Sequence, residues 1–260
     1  MIKHWIFTGD MHGNVANRLD YIKNKYPNFL PEETAVVALG DVGLNYYLNK
    51  KDQYEKDRIS KRGYTLYCLR GNHEARPSDL DYQVMFDPAV DGPVYLDPIC
   101  ENIRYFMDYG EVYKINEYKV LTIPGAYSVD KFYRLQMGWK WFPHEQLTDE
   151  EKDVIKEFAA GQHFDFVLSH TCPISWEPSD LFLSVIDQST VDKSMEIWLD
   201  ELKGKIKWDA WCFGHYHCDR LERPDVLQMF EEAYKLSEIF DIMNKPYYIN
   251  KAPGYYMGLV

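Results

Sequence analysis

No stretch of the 260-residue sequence approaches the roughly 20 apolar residues of a membrane-spanning helix, so no such span is expected. Cysteine is scarce. Cys68, Cys100, Cys172, Cys212 and Cys218 are odd in number and form no CxxC pair, which fits reduced, buried thiols rather than a disulfide framework or a cysteine-ligated zinc. Positive charge is also short, with 29 Lys and Arg against 41 Asp and Glu, a net charge of −12. Broad binding to nucleic acid or to an anionic membrane is thereby excluded, since both need a basic excess. A small anionic substrate is not excluded, because a metal ion in a cleft outweighs distant carboxylates whose fields salt screens within about 10 Å. The N-terminal apolar run reaches Asp10 after only a few residues, too soon for a signal peptide, and a soluble, cytoplasmic protein is expected. With no low-complexity or Gly/Ser-rich linker, a single domain over residues 1–260 is expected.

Aromatic residues, by contrast, are abundant at 16%, and the 21 tyrosines imply surface that is half-buried and half-wet. The first seventy residues alternate strand-like and helix-like segments, the pattern of a parallel sheet covered by helices. "HWIFT" (4–8), "TAVVAL" (34–39) and "YTLYCL" (64–69) read as strands, and 14–25 and 50–62 as helices. From about 93 to 136 the texture changes to short alternating runs expected of antiparallel strands, with Asn116 and Glu117 as a hairpin turn. "TDEE" from Thr148 to Glu151 is a capping-box signature for a helix. "FDFVLSH" and "KWDAWCFGHYH" then repeat the strand-then-histidine device, followed by a strand near "VLQMF" and a helix around 235–243.

Each of five apolar runs ends in a polar turn. Those turns hold Asp10 and His12 in "GDMHGN", Asp41 in "GDVG", Asn72 and His73 in "RGNHE", His170 in "LSH", and His215 and His217 in "GHYH". Five of the chain's eight histidines are among them. In open α/β sheets, ligands bind beyond the carboxyl ends of the strands, so the turns are expected to converge. A mixed shell of histidine and carboxylate suits borderline metals such as Mn²⁺, Fe or Zn²⁺. In "GHYH" the two histidines stand two apart, so on an extended backbone both imidazoles leave one face and Tyr216 the other.

In order along the chain, "DMH", "GD", "GNHE", "SH" and "GHYH" resemble the motifs of the calcineurin-like metallophosphoesterase family. The resemblance covers residues 9–217. It implies an α/β fold with two mixed β-sheets packed as a sandwich, flanked by helices, and a dinuclear metal site at the C-terminal ends of the strands. By the same resemblance Asp10, His12 and His217 hold a first metal, Asn72, His170 and His215 a second, and Asp41 bridges them. His73 is left free of metal to meet the substrate, where it protonates the leaving oxygen or steadies its charge; a turn or supporting role is the alternative. The protein Ser/Thr phosphatases of the family carry GDxxDRG, whereas this chain has Leu44 and Asn45 at the positions of the second Asp and the Arg. A partner for His73 must therefore come from elsewhere.

The implied activity is hydrolysis of a phosphate monoester, on a phosphorylated small molecule or phosphoprotein, by a hydroxide bridging two divalent ions, manganese first. A phosphodiesterase or nucleotide hydrolase of the same family is the alternative, and a non-catalytic metal-binding scaffold a third. For substrate contacts the candidates are Arg76, Lys131 and Arg134, whose side chains recognise phosphate but also commonly face solvent, and Asn14, which equally suits a helix N-cap.

Overall fold

Strands form where the β-branched and aromatic runs were read, and helices close the crossovers between them. Residues 1–182 and 187–244 are described in the computed structural model. The N-terminal part runs β1 (His4–Thr8), α1 (Val15–Lys25), β2 (Thr34–Ala38), α2 (Lys50–Ser60) and β3 (Thr65–Cys68). Then come β4 (Val84–Asp87), β5 (Gly92–Leu96), β6 (Ile103–Tyr105), β7 (Glu111–Ile115) and β8 (Tyr118–Ile123). After α3 (Lys131–Met137) and α4 (Asp149–Ala159), β9 (His163–Ser169), α5 (Ser194–Lys203) and β10 (Lys207–Phe213) follow. The last elements are β11 (Arg220–Arg223), β12 (Val226–Gln228), β13 (Ala233–Lys235) and α6 (Leu236–Met243). The expected domain limit at 260 falls in 245–260, outside the described residues.

Two mixed sheets result. The first has seven strands in the order β13, β1, β2, β3, β6, β5, β4, and the second six in the order β11, β12, β10, β9, β8, β7. Strands β1, β2, β3 and β6 are parallel in the first sheet, as are β8, β9, β10 and β12 in the second. All five residues of β2 are buried, as befits a central strand covered on both faces.

Face-to-face packing of the sheets follows from side-chain alternation. Ala210 and Cys212 of β10 join the core shared with the first sheet, while Trp211 and Phe213 join Ile155 of α4 and Leu199 of α5 in a separate outer core. Phe7 of β1 meets Phe166 of β9 edge-on across the interior, with centroids 5.8 Å apart. Each such fully buried side chain contributes about 1.5–3 kcal/mol. The five cysteines are buried, and none forms a disulfide. No helix among the described residues is long and apolar enough to cross a membrane.

Local signals behave as their chemistry requires. Asn116 turns the β7–β8 hairpin at φ 54°, a left-handed conformation that Asn tolerates. Thr148 and Glu151 form the capping box, Glu151 N–H donating to Thr148 Oγ1 (3.2 Å) and Thr148 N–H to Glu151 Oε2 (2.8 Å). β4, α3, β11 and β13 escaped the sequence. β4 is an edge strand whose Val84 and Phe86 are exposed and which packs only Met85 on the core, too little alternation to betray it. α3 lies where only alternating runs were expected; it has no side-chain cap and stops at Gly138, which adopts φ 69°.

Candidate active site

Because the central strands of each sheet are parallel, their C-terminal turns come together at one end of the sandwich. Ligand atoms of Asp10, His12 and His217 lie within 4.8 Å of one another, and so do those of Asp41, His170 and His215. A third such group contains His12, Asp41 and His73, so Asp41 belongs to two groups and links them. Asn72 joins the second set, its Oδ1 lying 2.9 Å from His170 Nε2. All eight residues from the strand exits are thus brought together.

The backbone bends sharply to do this. Of the eight non-glycine residues with positive φ among those described, four are His12 (45°), Asp41 (44°), His215 (68°) and His217 (52°). Such conformations cost of order 1–3 kcal/mol each and persist where the surroundings over-determine them, commonly at functional sites. The extended "GHYH" geometry is corrected here. β10 ends at Phe213, and two left-handed residues, not strand alternation, send His215 to the Asp41 group and His217 to the Asp10 group. Tyr216 is not turned away; it lines the cavity.

Glycine permits two of the close approaches. A Cβ on Gly40, at φ +102°, would stand 2.0 Å from His170 Nδ1, and one on Gly214 2.2 Å from Asp10 Oδ1. Hydrogen bonds fix the rest. His215 N–H donates to Asp10 Oδ2 (3.0 Å) and His73 N–H to Asp41 Oδ1 (2.8 Å). His170 Nδ1 faces the Leu39 carbonyl at 2.8 Å, which holds the proton on Nδ1 and turns Nε2 toward Asn72 and Asp41. Asn72 Nδ2 donates to Ser128 Oγ (2.9 Å), and Ser128 donates to Glu145 (2.5 Å), so the amide presents its oxygen inward. Glu74, unassigned from sequence, accepts from Gly71 N–H (3.0 Å) and Gly43 N–H (3.2 Å) and ties two of the turns together.

The electrostatics are those of a cation site. Burial alone would raise Asp41, yet His73, His170 and His12 hold its carboxyl well below the usual range. Burial opposes charge on His170, but Asp41 and Asp10 raise it to about 9. Burial pushes His73 and His215 down to about 3. His12 Nε2 lies 2.8 Å from His217 Nε2, which in turn is 3.3 Å from Asp10 Oδ2. Lone pairs of nitrogen and oxygen so aimed at one another repel unless a proton or a metal cation lies between them. This donor set fits two divalent ions of borderline character.

A cavity of about 650 Å³ opens over these groups. Of the substrate candidates, Asn14 and Arg134 line it, whereas Arg76 and Lys131 do not. Asn14 sits at the N-cap of α1 but makes no capping bond; its Oδ1 accepts from Asn17 (2.6 Å). Arg76 is turned away by stronger partners, donating to Glu151 Oε1 (2.6 Å) and to the His144 and Gln146 carbonyls. Lys131 Nζ rests 4.1 Å over the Trp141 ring. Arg134 is buried, bound to Asp130 (2.7 Å) and to Tyr46 OH (3.0 Å), with Nη2 against the His73 ring. Arg18 also lines the cavity and was not foreseen; it follows Asn14 by one helical turn, which is the signal that would have found it. His4, His144 and His163 play no part, stacking on Phe29 or pairing with Asp79 and Asp209.

The family model described as Calcineurin-like phosphoesterase matches residues 4–219. No curated protein matches the chain. Among solved structures, the protein of unknown function AQ665 from Aquifex aeolicus is 14% identical, with a TM-score of 0.32 over 65% of this chain and 80% of that one. TT1561 of Thermus thermophilus is 8% identical, with a TM-score of 0.45 over 90% of this chain and 98% of the other. The match over residues 4–219, on two mixed sheets with clustered ligands where they meet, places the chain in the calcineurin-like phosphoesterase family, a family of metal-dependent phosphoesterases.

Proposed function

We propose that the chain is a phosphatase that hydrolyses the monoester of a phosphorylated small molecule, using two divalent ions, manganese before iron or zinc. The observation that carries this reading is the position of Asp41, common to the group holding His170 and His215 and to the group holding His12. Asp10, His12 and His217 would hold one ion, Asn72, His170 and His215 the other, with one Asp41 oxygen for each. When bound, two such ions lower the pKa of a shared water and neutralise the phosphoryl oxygens.

His73 is the residue for the leaving group. Arg134 is a donor only, and its Nη2 lies 2.9 Å from Nδ1 and 3.1 Å from Nε2 of His73, so a neutral ring accepts from it at one nitrogen and keeps its proton on the other. A neutral imidazole then donates to the departing oxygen, while Arg134 adds positive charge beside the phosphoryl group. A monoester carries one more negative charge than a diester, and this extra cation favours it. The alternative remains a diesterase of the same family.

Turnover of a nitrophenyl monoester and of the bis-nitrophenyl diester, measured with metal content, separates these readings. Asp41→Asn is expected to lose metal and activity together, and His73→Ala to keep metal but lose most turnover. A clear preference for the diester overturns the monoester reading. If both variants match the parent rate, the site is misplaced.

A further inference from the structure

Asn72 differs from the other expected ligands, because only one of its two terminal atoms can hold a cation and a half-turn of the amide exchanges them. As it stands, Oδ1 lies 2.9 Å from His170 Nε2, and the two atoms can offer lone pairs to one ion. A reversed amide would instead donate from Nδ2 to that ring nitrogen, an ordinary hydrogen bond that closes the position to a metal.

Two residues behind the amide impose the choice. Ser128 and Glu145 are buried, and neither lines the cavity. A carboxylate only accepts, so the single Ser128 hydroxyl proton is committed to Glu145 Oε2 at 2.5 Å. Ser128 Oγ then has only lone pairs left for Asn72, and it meets Nδ2 at 2.9 Å. Glu145 is itself fixed: its Oε1 accepts from Ser128 N–H (3.1 Å) and its Oε2 from Trp141 Nε1–H (2.9 Å), while Arg70 Nη1 donates to its backbone carbonyl (2.7 Å). For stability alone, apolar groups of the same shape would serve about as well as this buried polar chain.

We infer that Glu145 is a positioning residue for the second ion: acting through Ser128, it locks the Asn72 amide with its oxygen inward. The inference rests on the two-ion reading above and adds the residue that makes Asn72 a ligand. Of the two expected ions only one depends on Asn72, so loss of the lock has a signature that general loosening of the fold does not share.

Calorimetric titration of Mn²⁺ into the metal-free full chain tests this, with the Tm of each metal-free variant as the measure of the fold. The parent is expected to take up two ions. In Ser128→Ala and in Glu145→Ala one ion should bind about 10–100-fold more weakly, the scale of losing a residue that orients a ligand, while the other keeps its parental Kd. In an Asn72→Asp background, where both terminal atoms are oxygens, Ser128→Ala should no longer weaken either ion. Parental affinity for both ions in either variant, equal weakening of both ions, or an undiminished loss in the Asn72→Asp background each overturns the lock. If Glu145→Ala fails to fold, the same outcomes in Ser128→Ala decide. A parent that binds fewer than two ions overturns the two-ion reading and this inference with it, whereas two ions in the parent and an indifferent Ser128→Ala overturn the inference alone.

Discussion

Arg134 Nη2 lies 2.9 Å from Nδ1 of His73 and 3.1 Å from its Nε2, although the two residues are 61 apart in sequence. Asp130 and Tyr46 hold the guanidinium from the other side, so it cannot turn away from the imidazole. Replacing it with Lys keeps the charge but removes the planar fork that reaches His73, Asp130 and Tyr46 together. Arg134→Lys is expected to lower kcat for a monoester about 10²-fold, the scale of losing one positioned donor, with metal content unchanged. Steady-state kinetics beside elemental analysis check this; parental kcat would mean that Arg134 does nothing for His73.

Gly40 has a similarly narrow tolerance. A methyl group there would collide with His170 Nδ1 at 2.0 Å, and φ +102° is hostile to any side chain. Gly40→Ala should therefore displace His170 and drop the bound metal from two ions toward one, with a stability cost of about 1 kcal/mol or more. Metal stoichiometry and a denaturant melt on the same sample provide the check.

Metal removal should be visible without any substrate. The expected ligands follow β1, β2 and β3 of one sheet and β9 and β10 of the other, so bound ions tie the sheets together. At a free metal concentration 100 times Kd, one site adds about 2.7 kcal/mol. A chelator should accordingly lower Tm by roughly 5–10 °C, reversed by added Mn²⁺. An unchanged Tm at saturating metal would contradict the assigned ligands.

Glu196 sets a pH dependence. Burial, opposed by the Thr171 hydrogen bond, raises its pKa from an ordinary 4.5 to about 7. Between those values the folded protein keeps a proton that the unfolded chain has lost, so this contribution to stability is complete below about 4.5 and disappears as pH rises through 7. Glu196→Gln abolishes it. The Tm difference, parent minus variant, should decrease from pH 5 to pH 8; a constant difference would show that Glu196 does not titrate in this range.

Much of the site was legible because it is written in local turns. Asp10, Asp41, Asn72, His170 and His215 each follow an apolar run directly, and strand periodicity alone marks where such a run ends. Backbone bends were not legible, since nothing in "GHYH" announces left-handed φ at two histidines, and alternation was the wrong rule there. Long-range pairing was invisible too. Arg76 and Arg134 look alike from sequence, but Glu151 claims the first and His73 adjoins the second. An edge strand such as β4, with Val84 and Phe86 in solvent and only Met85 on the core, leaves too faint a mark on its pattern.

The arrangement of turns from both sheets also bears on how the protein can be divided. Cut between β8 and β9, the N-terminal fragment keeps Asp10, His12, Asp41, Asn72 and His73 but lacks His170, His215 and His217. Neither piece owns a complete set of donors, so binding of two ions by a mixture of the separate fragments would report their correct reassembly.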